Sequence, residues 1–216
     1  MKTLFIPARF IGKVEMDESF IGKLPEKIGI VSTSQFLNCL NSVKSLLEKS
    51  GRKVFIGKSL QGNYGQLLGC DVSSSAAIDD KVDAFLYIGS GEFHPRGVAL
   101  KTSKEVFAFN PLANDFCRIE RKEIEHYSKR KKAAYLKFLS SDKIGILVSM
   151  KQGQNSIKKA IELKKKLKTK ECFIFIAETL DFGQLENFPF IQSWVNTACP
   201  RIDEDINCVN ISEIEL

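Results

Sequence analysis

The sequence predicts an α/β fold of two similar small domains, each a parallel sheet flanked by helices. Three observations predict it. The run Glu26-Lys27-Ile28-Gly29-Ile30-Val31-Ser32 returns as Asp142-Lys143-Ile144-Gly145-Ile146-Leu147-Val148-Ser149. Each copy passes through a polar turn into a segment with helical apolar spacing. A second and a third short apolar run then follow in each half, and strand–helix–strand alternation of this kind gives parallel sheets covered by helices.

The first run of each copy is apolar, β-branched and bounded by charge, as expected of a strand buried on both faces. After Ser32, Phe36, Leu37, Leu40, Val43 and Leu47 recur at helical spacing, and Gly51 stands where a glycine stops a helix. After Ser149, Ile157, Ala160, Ile161 and Leu167 do the same. The second strands are Lys53–Gly57 and Cys172–Ile176; the third are Ala84–Ile88 and Ser193–Thr197. A long helix from about Arg121 to Leu139 links the copies, so residues 1–140 form the first domain and 141–216 the second.

The chain has 216 residues, enough for two small cores, and the composition of an ordinary globular protein. The opening Met1-Lys2-Thr3-Leu4-Phe5-Ile6-Pro7 is too short an apolar run for a signal peptide. No stretch approaches the roughly 20 apolar residues of a membrane span. A cytoplasmic protein with no membrane association is expected. The net charge is +6. Lysines 158, 159, 164, 165, 166, 168 and 170 crowd one helix and its exit, and the run Ser128–Lys132 adds another basic stretch. Both read as solvated faces, because no aromatic residues interleave with them as in RNA-binding surfaces; direct nucleic-acid binding is not expected.

The six cysteines at positions 39, 70, 117, 172, 199 and 208 form neither a CxxC pair nor a disulfide framework. In a reducing compartment they are free thiols or metal ligands. Cys39, Cys172 and Cys208 fall in a helix or in strands and are explained by packing, whereas Cys117 lies near an exposed connection. Cys70 closes Gly65-Gln66-Leu67-Leu68-Gly69-Cys70-Asp71, and Cys199 sits in Asn196-Thr197-Ala198-Cys199-Pro200-Arg201. Each adjoins an apolar run, a setting for a thiol at the rim of a sheet.

Open α/β sheets gather ligands at the carboxyl ends of their strands. The segments expected there are Tyr87 to Gly97, Ser149 to Gln154 and the Cys199 loop; two copies facing each other would bring them to one cleft. Gly89-Ser90-Gly91 is either an anion-cradling turn or a structural one, and it lacks both the dinucleotide fingerprint and the Walker lysine. His94, held before Pro95, is a structural hydrogen-bonding group or a base. Lys151 and Gln154 stand at a strand-to-helix junction that is either a carboxylate site or an ordinary cap.

Together these segments resemble the diphthamide synthase family in order and separation, over essentially the whole chain. The stretch Leu4 to Lys13 resembles the connector between the family's first and second domains. The resemblance implies the family's second and third domains, with the first domain and its cysteine absent and the tail shorter. Met150 and Gln152 depart from the family pattern, which has Thr or Ser and Pro. Family members hold a 4Fe–4S cluster on three cysteines and cleave S-adenosylmethionine. They transfer its 3-amino-3-carboxypropyl group to a histidine of translation elongation factor 2. The resemblance therefore implies Cys70 and Cys199 as metal ligands, with Ser90, His94, Lys151, Gln154 and Arg201 lining the cofactor site.

Three functions stay open. The chain supplies two cluster ligands to an enzyme whose third comes from a separate first-domain chain or a related subunit. It is a non-catalytic partner that supports the cluster or docks the elongation factor, in a homo- or heterodimer. Or it is a degenerate fragment or another iron–sulfur protein of the same fold.

Overall fold

The computed structural model describes residues 6, 8–69, 71–204 and 206–214. It divides into two compact units, residues 1–124 and 125–216.

In the first unit a short helix α1 (Glu18–Ile21) precedes strand β1 (Lys27–Ser32). The helix that follows opens as a 3-10 turn (Ser34–Cys39) and continues as α2 (Leu40–Lys49), with Cys39 at the junction. Gly51 ends it at φ +84°, and the Arg52 amide donates back to the Leu47 carbonyl. Then come β2 (Lys53–Phe55), α3 (Ser73–Ala76), β3 (Ala84–Ile88), α4 (Phe93–Ala99), β4 (Glu105–Asn110) and β5 (Asp115–Arg118). The strand order is β2-β1-β3-β4-β5. The first four strands are parallel, while β5 returns antiparallel to β4.

Period-two alternation splits the sheet's side chains between two cores. Ile28, Ile30, Ala84, Leu86 and Ile88 join Phe36, Leu40, Val43 and Leu47 on one face. Val31, Phe85 and Tyr87 join Val98, Ala99 and Ile119 on the other. The β4–β5 hairpin is absent from the sequence reading. Cys117, expected near an exposed connection, lies half-buried in β5 opposite Ala108.

The second unit contains β6 (Lys143–Ser149), α6 (Ile157–Lys166), β7 (Glu171–Ala177), β8 (Ser193–Asn196) and β9 (Cys208–Asn210). All four strands are parallel, in the order β7-β6-β8-β9. Helix α5 (Arg121–Ser140) precedes them and sends Ala134 and Phe138 into this unit's core. That packing moves the division between units from the expected position near 140 to 124. The face of α6 also differs from expectation. Ala160 and Leu163 are buried while Ile161 is 42% exposed, because Ala160, Leu163 and Leu167 form the stripe and Ile161 lies one position off it.

The repeat that announced two domains has a structural cause. Gly29 pairs with Phe85 across β1 and β3, and Gly145 pairs with Trp194 across β6 and β8. A Cβ on Gly29 would lie 2.7 Å from two Phe85 ring carbons; on Gly145 it would lie 2.3 Å from two carbons of the Trp194 indole. In each unit the glycine of the first strand leaves room for an aromatic ring of the third.

Candidate functional site

Both sheets reverse direction of growth at their first strand. The crevice where α/β sheets take ligands therefore lies beyond the carboxyl ends of β1 and β3 in one unit, and of β6 and β8 in the other.

In the first unit the Ser32 hydroxyl donates to the Ile88 carbonyl over 2.7 Å, joining the two strand ends. The Ser32 backbone also pairs with the incoming loop: its amide donates to Gly65 and its carbonyl accepts from Leu67, each at 2.8 Å. Leu68 and Asp71 bond to each other in both directions, and Gly69 between them has φ +56°. Cys70 itself lies outside the described residues. Its neighbour Asp71 accepts from the Ser73 amide at 2.8 Å, and hydrogen bonding from Ser73 holds its carboxyl below the ordinary range.

The segment expected as one long ligand loop is a short loop, Gly89 to Glu92, followed by α4. Pro95 fits because it stands in the first turn, where no amide donor is needed. His94, on α4, stacks on Tyr87 with ring centroids 5.9 Å apart. Tyr87 is fully buried, its hydroxyl donates to the Ser90 carbonyl at 3.3 Å, and burial pushes its phenol up. Gly89 passes directly over that phenol: a Cβ there would lie 2.4 Å from the hydroxyl oxygen. Ser90 is exposed at the rim.

In the second unit the buried Ser149 ends β6, accepting from the Lys151 amide at 3.2 Å and donating to the Glu178 carbonyl at 3.3 Å. Lys151 is exposed and Gln154 half-buried on the turn that follows, where Gly153 has φ +81°. Asn155, just before the start of α6, accepts from the Ile157 amide at 3.2 Å. From β8, the next strand, Thr197 donates to the Leu147 carbonyl at 2.8 Å and leads into the Cys199 loop. Cys199 and Arg201 are both half-buried. Lys151, Gln154, Cys199 and Arg201 therefore stand on loops that leave adjacent strands, β6 and β8.

The Cys199 loop is tied by two buried asparagines that the sequence reading did not single out as functional. Asn196 donates to the Cys199 carbonyl and to Asn210 Oδ1, both at 2.7 Å, and accepts from the Ala198 amide at 2.9 Å. Asn210 donates to the Pro200 carbonyl at 3.0 Å. The available signal was an asparagine ending each of two neighbouring apolar strands.

The other thiols are poor ligands. Cys39, Cys172 and Cys208 are buried in cores, and burial pushes Cys39 and Cys172 up. Cys117 is pushed up by burial and by the carboxylates of Glu92 and Asp115. A thiol kept protonated does not bind metal readily. Among the described residues no three His, Cys, Asp or Glu side chains converge as a metal set, and no helix is long and apolar enough to cross a membrane.

Comparison with known proteins gives a consistent result. The 2-(3-amino-3-carboxypropyl)histidine synthase of Pyrococcus horikoshii is 34% identical over 94% of this chain and 60% of that protein. The enzyme of the same name from Methanocaldococcus jannaschii is 29% identical over 94% and 56%. The crystal structure of Dph2 from Pyrococcus horikoshii superposes with a TM-score of 0.75 at 31% identity, covering 90% of this chain and 58% of that one. A second crystal structure of it, with a 4Fe–4S cluster, gives a TM-score of 0.73. The chain thus spans about 60% of the length of the first of these relatives. The model of the diphthamide synthesis protein family matches residues 1–207, and the chain belongs to that family.

Proposed function

We propose that this chain is the cluster-bearing part of a 2-(3-amino-3-carboxypropyl)histidine synthase. The enzyme would transfer the 3-amino-3-carboxypropyl group of S-adenosylmethionine to a histidine of translation elongation factor 2. The supporting observation is the setting of Cys199: a half-buried thiol at the switch point of a parallel sheet, on a tied loop, in a chain of this family. Lys151 and Arg201 stand on the loops that leave the adjacent strands β6 and β8, and cations there would suit a metal–thiolate centre and an anionic substrate group.

Cys199 and Cys70 would hold the cluster. When bound, the cluster would supply the electron that cleaves the sulfonium. The chain's own residues would do the rest. Lys151, Gln154 and Arg201 would bind the carboxylate of the amino-acid moiety, and Ser90 and His94 would line the cofactor site from the first unit. The enzyme would work as a dimer in the cytoplasm, with the elongation factor as its protein substrate. Several relatives carry the name "subunit 1", among them that of Schizosaccharomyces pombe, which favours a shared assembly and keeps a supporting subunit as the second reading.

The test is anaerobic iron–sulfur reconstitution of the chain, alone and with a companion first-domain chain or related subunit. Iron content and electron paramagnetic resonance are the readouts. A 4Fe–4S signal lost in both Cys70→Ala and Cys199→Ala is expected, together with transfer of label from S-adenosylmethionine carrying it in the aminocarboxypropyl group. A complex that modifies the elongation factor equally well with either variant would overturn the reading in favour of the supporting subunit.

A further inference from the structure

We infer that Asn196 and Asn210 are the positioning pair for Cys199, tying the chain at the preceding residue's amide and on the carboxyl side of the cysteine so that the thiol is presented in one direction. This rests on the proposed role of Cys199 as a ligand. The two asparagines end neighbouring parallel strands, β8 and β9, and face each other in register. They are 1% and 3% exposed, so their amides bond in a low-dielectric setting where an unmade bond is costly.

Asn196 makes three local hydrogen bonds, using both of its donors. Its carbonyl oxygen takes the Ala198 amide, and its two N–H groups take the Cys199 carbonyl and Asn210 Oδ1. Asn210 takes the Pro200 carbonyl and reaches Glu213 Oε1 at 3.4 Å. The Cys199 carbonyl also accepts from the Ile202 amide at 3.1 Å, curling the chain after the thiol. The Thr197–Ala198 and Cys199–Pro200 peptides are thus each tied, and these two anchors bracket the thiol. The pair extends outward, since Glu213 forms an ion pair with Lys131 of α5.

A pair that merely stabilised the fold would not govern one thiol, and that difference is measurable without a cluster. Alkylation of Cys199 by iodoacetamide in the cluster-free chain, followed by peptide mass spectrometry, is expected to change at least fivefold in Asn196→Ala and Asn210→Ala. Thr197→Val removes a comparably buried bond from the end of the same strand and is expected to leave the rate within twofold. Folding of each variant is checked by near-ultraviolet circular dichroism. Wild-type rates in both folded asparagine variants, or an equal change in Thr197→Val, would overturn the inference.

Hydrogen exchange of the unmodified chain keeps the test open if the variants do not fold. Protection of the Ala198 and Ile202 amides like that of β8 is expected, whereas exchange at the rate of a free loop would overturn it. A changed thiol rate in a chain that never binds iron would support the pair and sink the proposed function, so the two failures are separable.

Discussion

Trp194 lies across Gly145 on the adjacent strand, close enough that a methyl group on the glycine would meet the indole at 2.3 Å. The ring also packs edge-on against Phe175, with centroids 4.9 Å apart. Gly145→Ala is expected to destabilise the second unit by about 1–3 kcal/mol, the usual cost of overpacking. Adding Trp194→Leu should recover part of that loss. Urea unfolding followed by circular dichroism measures both, and costs that simply add would show that the contact is not the cause.

Helix α6 offers a contrast between neighbours. Leu163 is 1% exposed and Ile161 42% exposed. Leu163→Ala is expected to cost about 2–5 kcal/mol through the cavity it leaves, whereas Ile161→Ala should stay within about 0.5 kcal/mol. Thermal melting of the two variants decides it.

Lys170 belongs by sequence to a basic run, yet its ammonium donates to the carbonyls of Leu139 (2.8 Å) and Ser141 (2.6 Å) at the end of α5. Lys170→Met keeps the stem and removes the donors. A loss of about 1–2 kcal/mol is expected, measured by urea unfolding, while Lys165→Met on the exposed face of α6 should be neutral.

The buried thiols give a pH dependence. Burial is the leading reason that Cys39, Cys117 and Cys172 sit above the ordinary thiol value of 9.0 in the folded chain. A group whose folded pKa is raised contributes its full stability below the unfolded pKa and loses it as pH rises through the folded one. The melting temperature should therefore fall as pH rises past about 9. A Cys39→Ala, Cys172→Ala double variant, less stable at neutral pH, should show a shallower alkaline decline. An unchanged slope would count against these thiols as the cause.

Much of the fold was legible because both first strands are buried on both faces and so carry unbroken apolar runs. What the sequence could not show was what each run packs against. The glycines of the repeat marked the units, but their aromatic covers lie some fifty positions away. The β4–β5 hairpin was missed because its strands alternate weakly around Asn114, which takes φ +50° without a glycine to signal the turn. The Cys199 loop stood out by its proline and cysteine. Its tether through Asn210 did not, since strand pairing alone brings that residue beside Asn196.

The division at residue 124 has a consequence for how the chain is made. Every strand of the first sheet precedes that point, so this sheet can close while the rest is still being synthesised. The second sheet waits until β8 and β9 emerge, because β6 pairs on one side with a strand about fifty residues later. Until then β6 and β7 are an apolar pair lacking half their sheet, a stage at which newly made chains pair with the wrong neighbour. Production of this protein should therefore respond more to slower synthesis and lower temperature than to anything done to its first half.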